Sequence, residues 1–88
     1  MPKAAASAPT SLELATVSII DGVRDQRGIT RADLARRAAM PRTTLTEMLD
    51  GKVPMRMGQL FAVCAALGLS PSTVLAAAEV QVDQNAQR

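Results

Sequence analysis

The stretch from Thr30 to Gly51 constrains the fold of this chain most strongly, because a proline interrupts a helical pattern at its centre. Pro41 lacks an amide hydrogen and cannot lie inside a helix, but it is well tolerated where a helix starts. Apolar residues recur at the three- and four-residue spacing of a helix on both sides of the proline: Leu34, Ala35 and Ala38 before it, and Leu45, Met48 and Leu49 after it. The stretch therefore predicts two short helices joined by a tight turn at Ala39 and Met40.

Helix start and stop signals flank this pair of helices. Thr10 and Glu13 have the spacing of a capping box, in which each side chain satisfies a free backbone amide, and Thr30 and Asp33 repeat that spacing. A glycine often follows the last residue of a helix, and a serine before a proline marks a helix start. Together these signals predict an all-α, compact five-helix bundle. Its remaining boundaries are predicted at Gly28, Gly51 and Gly68, with a fourth helix from Met57 to Leu67 and a fifth from Ser70-Pro71 to about Val80.

The same periodicity predicts which side chains face the core. In the first helix these are Leu12, Ala15, Ile19, Ile20 and Val23. In the fourth helix they are Met57, Leu60, Val63, Cys64 and Leu67, and in the fifth helix they are Val74 and Leu75. Arg31, Arg36 and Arg37 should face solvent, because burying an unpaired guanidinium is costly. At 88 residues we expect one domain. Residues 1–9 are predicted to be a flexible N-terminal arm, 10–80 the helical domain with its helix pair at 30–51, and 81–88 a polar C-terminal tail.

The residue types present exclude several functions. With one cysteine, Cys64, and no histidine, the chain offers neither an intrachain disulfide nor a four-ligand zinc site. No apolar run approaches the ~18 residues of a membrane span, and none resembles a signal peptide. We therefore expect a cytoplasmic protein with no membrane segment, metal or cofactor. An enzyme is not expected either, since histidine, tyrosine and a glycine-rich phosphate loop are lacking and a bundle this small has little room for a small-molecule cleft.

Positive charge is concentrated in the middle of the chain. Eight of the ten basic residues lie between Arg24 and Arg56, together with four of the eight acidic residues. A basic centre between mildly acidic ends indicates a surface that faces a polyanion. An ordinary solvated face would show the same charge pattern, so the choice between the two depends on which residues carry the charge.

The helix that follows Pro41 begins with side chains suited to DNA. Arg42 at its leading end can donate two hydrogen bonds to O6 and N7 of guanine. Thr43 and Thr44 can bond phosphate or base edges, or contact a thymine methyl group. Lys52 and Arg56, just after the helix, are candidates to neutralise phosphates. The layout also fits a helix-turn-helix, in which the small Ala35 allows the helices to cross closely and the outer face of the second helix enters the major groove.

Three segments of the chain together resemble the phage-repressor (Cro/XRE-type) helix-turn-helix family: IIDGVRDQRGIT, ADLARRAAMPRTTLTEMLDGK and LFAVCAALGLSPSTVL, covering about Ile20 to Leu75. The resemblance implies a five-helix domain that binds double-stranded operator DNA, usually as a homodimer, to regulate transcription. It places Arg31 at a position that clamps phosphate and can support a base-reading side chain. The residues it assigns to the recognition helix are Arg42, Thr43, Thr44, Thr46 and Glu47.

Two points remain open on this interpretation. Glu47 either accepts a hydrogen bond from a cytosine amine or is a solvated charge that repels wrong sites, and the second is slightly favoured. The function expected is a sequence-specific transcriptional regulator, a repressor. The alternative is a protein-interaction module on the same fold, antitoxin-like or an adaptor, which would show apolar anchors on the third helix.

Three departures from the family pattern fall near the predicted interface. Ala39 stands where the family often has glycine, and an alanine forced into a left-handed conformation costs about 1 kcal/mol. Pro41 replaces the usual serine or threonine cap of the third helix. Arg56 stands where a serine or threonine cap of the fourth helix would be expected. All three leave the candidate DNA-facing residues in place.

Overall fold

The computed structural model describes residues 8–86, which form five α-helices. These are α1 (Ser11–Gln26), α2 (Arg31–Arg37), α3 (Arg42–Leu49), α4 (Met57–Ala66) and α5 (Pro71–Ala86). α1 packs along α5 and also against α3, whereas α2 packs against α3 and α4. The predicted all-α five-helix bundle is confirmed. Most of the predicted N-terminal arm, residues 1–7, lies outside the described residues.

The predicted capping box at the start of α1 is complete. The backbone amide of Thr10 donates to Oε1 of Glu13 at 2.8 Å, and the amide of Glu13 donates to Oγ1 of Thr10 at 3.2 Å. At the start of α2 only half of the pair forms: the Asp33 amide donates to Oγ1 of Thr30 at 3.0 Å. The Asp33 carboxylate instead pairs with Arg36 and Arg37. At α5 the Ser70 hydroxyl lies 2.9 Å from that of Ser72.

The helices α1 to α4 all end in the same backbone motif. In each helix, the backbone amide of the second residue after the cap residue donates to the carbonyl of the third-last helical residue. The amide of the first residue after the cap residue donates to the carbonyl of the second-last helical residue. This is the Schellman arrangement, which needs a positive φ at that first residue. Three of the four positions are glycines, with φ of 69, 73 and 68° at Gly28, Gly51 and Gly68. The fourth is Ala39, with φ of 55°.

A single apolar core fills the space between the helices. Its fully buried side chains include Ile20 from α1, Leu34 from α2, Leu45 and Met48 from α3, and Val63 and Cys64 from α4. Most inward positions predicted from periodicity are buried or half-buried, but two predictions were wrong. Leu12 is 39% exposed and Met57 is 71% exposed. Both lie in the first turn of their helices, where no neighbouring helix covers them sufficiently.

α5 is longer than the sequence predicted. It continues to Ala86 instead of ending near Val80. Gln81, Val82 and Asn85 from this extension line a groove with Leu14 and Ser18 of α1. Gln81 and Val82 are half-buried, whereas residues 83–86 are exposed. Across residues 8–86 no single helix is long and apolar enough to cross a membrane; α4 and α5 reach that composition only as a pair, bent by 108°.

Candidate nucleic-acid interface

α3 is fixed to the core along one side only. Leu45 and Met48 are fully buried and Leu49 is 7% exposed. These positions follow the three- and four-residue spacing of one helical face, as predicted from the sequence. Pro41 precedes the helix with φ −62° and ψ 141°, so it is the cap residue and not the first helical residue, and no side chain caps α3. The opposite side of the helix is consequently free.

That free side carries most of the predicted DNA-binding side chains. Arg42, Thr43 and Glu47 are exposed, whereas Thr44 and Thr46 are half-buried. Arg42 lies at the leading end of α3, and in the described structure its guanidinium forms no ion pair with another residue. A guanidinium without a carboxylate partner keeps its donors available to guanine or phosphate. The role of these residues in DNA binding stays a prediction.

The loop after α3 brings Arg56 next to Thr44. Both residues line a shallow depression together with Met48, Val53, Pro54 and Gln59. Arg56 is exposed, and its backbone amide donates to Oε1 of Gln59 at 2.8 Å, which supplies part of the cap that the sequence lacked. Lys52 is also exposed, one residue after Gly51. Two exposed cations therefore lie in the segment that follows α3.

Arg31 is placed differently from the prediction. It was expected to face solvent, but its side chain is only 27% exposed and contacts two carboxylates. Nη1 lies 2.8 Å from Oδ1 of Asp50, the cap residue at the end of α3, and Nη2 lies 3.2 Å from Oδ2 of Asp21 in α1. The prediction of a solvent-facing Arg31 was wrong because pairing removes the penalty of partial burial. Arg31 thus joins α1, α2 and the end of α3.

The charges around Arg31 shift two pKa values. Burial alone would raise the pKa of Asp21, but hydrogen bonds and charge from Arg24 and Arg31 outweigh it, so that pKa lies below its ordinary value. The Arg24 Nε lies 2.7 Å from Oδ1 of Asp21. The hydrogen bond to Asp50, followed by the one to Asp21, raises the pKa of Arg31 despite partial desolvation. Both shifts favour the charged forms of Asp21 and Arg31 at neutral pH.

The partners of Arg31 are the residues that sequence reasoning missed. Asp21 and Asp50 lie ten and nineteen residues from Arg31, so no local helical spacing relates them to it. By contrast, the pairing of Asp33 with Arg36 and Arg37 follows the i,i+3 and i,i+4 rule and is visible in the sequence. Arg36 and Arg37 remain exposed on α2.

Other chemistry-bearing groups form no second site in residues 8–86. Cys64 is fully buried in the core, and burial raises the pKa of its thiol, as expected for an inert core cysteine. Within the same residues, no three of the His, Cys, Asp and Glu side chains come together as a metal site would require.

Comparison with known proteins agrees with this geometry. The family model of the Cro/C1-type HTH DNA-binding domain matches residues 20–78. The fold is similar to that of the clp gene regulator ClgR from Corynebacterium glutamicum, with a TM-score of 0.78 and 28% identity over 91% of this chain and 84% of that one. A second structure of that regulator gives a TM-score of 0.72 at 28% identity, over 80% and 91% of the two chains. A hypothetical transcription factor, NHTF from Neisseria, shares the fold at a TM-score of 0.64 and 21% identity, over 85% and 84%. No curated protein matches.

The chain therefore belongs to the Cro/C1-type HTH DNA-binding domain family, which confirms the predicted resemblance. α2, the turn at Ala39 and α3 are its helix-turn-helix, and all three fall inside the matched residues. As a member of this family it is a DNA-binding regulator and not an enzyme.

Proposed function

We propose that this protein is a sequence-specific transcriptional repressor that reads the major groove of an operator with α3. The single observation that carries the proposal is the two-sided character of α3. One side is anchored by Leu45 and Met48, both fully buried, and the other side presents Arg42 and Thr43 to solvent. The likeness to a clp gene regulator supports a role in controlling transcription.

In this proposal the DNA contacts divide into two kinds. Arg42 and Thr43 read base edges from the leading end of α3, with Thr44 and Thr46 at the sides of the helix. Lys52 and Arg56 neutralise phosphates next to the groove. Glu47 lies on the same exposed side as Thr43, four residues further along α3, where its negative charge selects against an unfavourable base or phosphate position.

We propose further that the protein binds an inverted repeat as a homodimer, because two-fold operators match two-fold proteins. In α5 the apolar candidates for dimer contacts are Val74, Ala77, Ala78, Val80 and Val82. Of these, Val74 and Ala78 are buried within the bundle, so they cannot meet a second copy, whereas Ala77 and Val80 are exposed. Any dimer contact made by α5 therefore uses its outer face.

The test is selection of bound sequences from random duplex DNA by the wild type and by Arg42→Ala. We expect the wild type to enrich one motif and Arg42→Ala to lose the preference at one base position. Arg36→Ala is the matched control, because Arg36 is also exposed but lies on α2 and pairs with Asp33. The control should enrich the wild-type motif. A wild type that enriches nothing, or an Arg42→Ala variant with the full motif, would refute α3 as the reader.

A protein-interaction module is the second candidate, and one observation favours it. α4 carries no charged residue, and Met57 and Phe61, four residues apart, are 71% and 55% exposed. Apolar anchors of this kind mark protein interfaces. A salt titration separates the two candidates, since DNA affinity falls steeply with salt through counterion release and apolar docking does not. Partner binding that is insensitive to salt, without any duplex DNA binding, would favour the interaction module.

A further inference from the structure

The two carboxylates that hold Arg31 are not equivalent. Asp21 is bonded by both Arg24 and Arg31, at 2.7 and 3.2 Å, and only 27% of its side chain is exposed. Asp50 pairs with Arg31 alone among the described residues, at 2.8 Å, and 37% of its side chain is exposed. Asp50 is therefore the more exposed of the two partners and pairs with no second cation in the described part of the chain, while Asp21 is also held by Arg24 and bonds Nη2 of Arg31.

Asp50 also lies next to the surface that we assign to DNA. It follows Thr43 by seven residues and Glu47 by three, so the three share one side of α3. All three are exposed. The Arg31–Asp50 pair consequently continues the exposed side of α3 toward the start of α2. With Arg24 and Asp21 the cluster contains two positive and two negative groups, so it offers a polyanion no net attraction.

We infer that Asp50 withholds Arg31 from DNA phosphate and thereby limits the affinity of this protein for duplex DNA; the inference rests on the proposed function of α3. A phosphate and the Asp50 carboxylate are both anions that bind a guanidinium through oxygen acceptors, so they compete for Nη1 of Arg31. Because Asp21 continues to hold Nη2, removing the charge of Asp50 leaves the Arg31 guanidinium in position with Nη1 available to a phosphate. Asp50 is thus an affinity-setting residue and not a DNA contact.

The experiment measures binding of Asp50→Asn to a labelled duplex of random sequence and to the selected operator, across a salt series. The gain of one phosphate contact should steepen the slope of log affinity against log salt by about 0.9. Between about 50 and about 200 mM salt, the variant should accordingly lose about 3.5-fold more affinity than the wild type, having started from a higher value. Asp50→Ser, which also removes the charge, should behave in the same way.

Two controls isolate Arg31 from a general change of charge. Asp83→Asn removes one negative charge at an exposed position of α5 and should leave the slope unchanged. Adding Arg31→Gln to Asp50→Asn should abolish the gain. Weaker binding by Asp50→Asn, an unchanged slope, or a gain that persists without Arg31 would overturn the inference. So would the finding, by circular dichroism, that both Asp50 variants are unfolded.

The wild-type titration separates this inference from the proposed function. A wild type that binds duplex DNA with a steep salt dependence, beside an Asp50→Asn variant that gains nothing, would reject only the role of Asp50. A wild type that binds no duplex DNA at any salt concentration would reject both.

Discussion

Ala39 occupies the same position after α2 that Gly28 occupies after α1. The amide of each donates to the carbonyl three residues earlier, at 3.1 Å in Ala39 and 3.0 Å in Gly28, and the φ angles are 55 and 69°. Only the glycine adopts this left-handed conformation without steric cost, because a Cβ approaches the following carbonyl oxygen. The turn of the helix-turn-helix therefore contains local backbone strain that the other three helix ends avoid.

Ala39→Gly should consequently stabilise the protein. Removing the Cβ relieves a steric cost of about 1 to 2 kcal/mol at this positive φ. That gain exceeds the roughly 0.4 to 1 kcal/mol of stability that is lost because glycine gives the unfolded chain more conformational freedom. Ala39 is exposed, so no core contact is lost. Urea denaturation should show a gain of up to about 1 kcal/mol. Ala32→Gly, at an exposed helical position of α2, is the control and should lower stability by about 1 kcal/mol. A loss of stability in Ala39→Gly would contradict the interpretation.

Gly51 differs from Gly28 in having a close neighbour. A Cβ at Gly51 would lie 2.8 Å from Cδ2 of Leu14, whereas a Cβ at Gly28 would meet nothing within 4 Å. Gly51→Ala should therefore cost more than the conformational penalty of about 1 kcal/mol that both glycines share. The excess should be small, because Leu14 is 45% exposed and its side chain can move away.

A double-mutant cycle with Leu14→Ala measures that excess. In the Leu14→Ala background the penalty of Gly51→Ala should fall to that of Gly28→Ala, because the contacting methyl group is gone. The penalty of Gly28→Ala should be the same in both backgrounds. Equal costs for the two glycine substitutions in the wild-type background would show that Leu14 accommodates the extra methyl group freely.

Local signals in the sequence predicted the helix boundaries well. Capping at Thr10, the glycines after α1, α3 and α4, and the left-handed turn at Ala39 all depend on residues within a few positions of one another. Such interactions are short-range and depend on residue type, so they can be predicted from the local sequence. The inward face of α3 was predicted for the same reason, since helical periodicity relates Leu45, Met48 and Leu49.

Features that depend on contacts between distant residues were not predicted. Met57 has the right helical phase to be buried, but periodicity cannot show that no neighbouring helix covers the start of α4. The end of α5 was predicted too early because the polar sequence after Val80 gave no sign that Gln81 and Val82 are half-buried beside α1. Arg31 was predicted to face solvent because its partners are brought to it only by the tertiary fold.

The ion pairs of Asp21 predict a loss of stability in acid. Its pKa in the folded protein lies below the ordinary value of 3.8, so its charged form stabilises the fold fully above that value. This contribution is lost as pH falls through the lower, folded-state pKa. At neutral pH Asp21→Asn should therefore be less stable than the wild type, and the difference should narrow between about pH 5 and about pH 2.

Urea denaturation of both proteins across this pH range measures the difference. Asp83→Asn, at an exposed carboxylate of α5, is the control, and its stability should stay close to that of the wild type throughout. A difference between Asp21→Asn and the wild type that stays constant down to about pH 2 would contradict the role of the charged carboxylate.

Leu60 and Phe61 are neighbours in α4 with opposite environments, and their truncation should have very different effects. Leu60 is 7% exposed, so Leu60→Ala should cost about 2 to 5 kcal/mol through lost burial and a cavity. Phe61 is 55% exposed, so Phe61→Ala should cost less than about 1 kcal/mol in the monomer, although phenylalanine is the larger residue. Thermal unfolding monitored by circular dichroism at low protein concentration gives both values.

Repeating the Phe61→Ala measurement over a hundredfold range of protein concentration tests whether a second copy covers this side chain. Association through Phe61 would make the stability of the wild type rise with concentration, because binding stabilises the folded state by mass action, and Phe61→Ala would reduce that rise. Val80→Ala, at the equally exposed valine of α5, is the matched comparison for the outer face of that helix. If the stabilities of the wild type, Phe61→Ala and Val80→Ala do not depend on protein concentration, neither Phe61 nor Val80 makes a dimer contact. A large loss in Phe61→Ala that does not vary with concentration would instead show that Phe61 packs within its own chain.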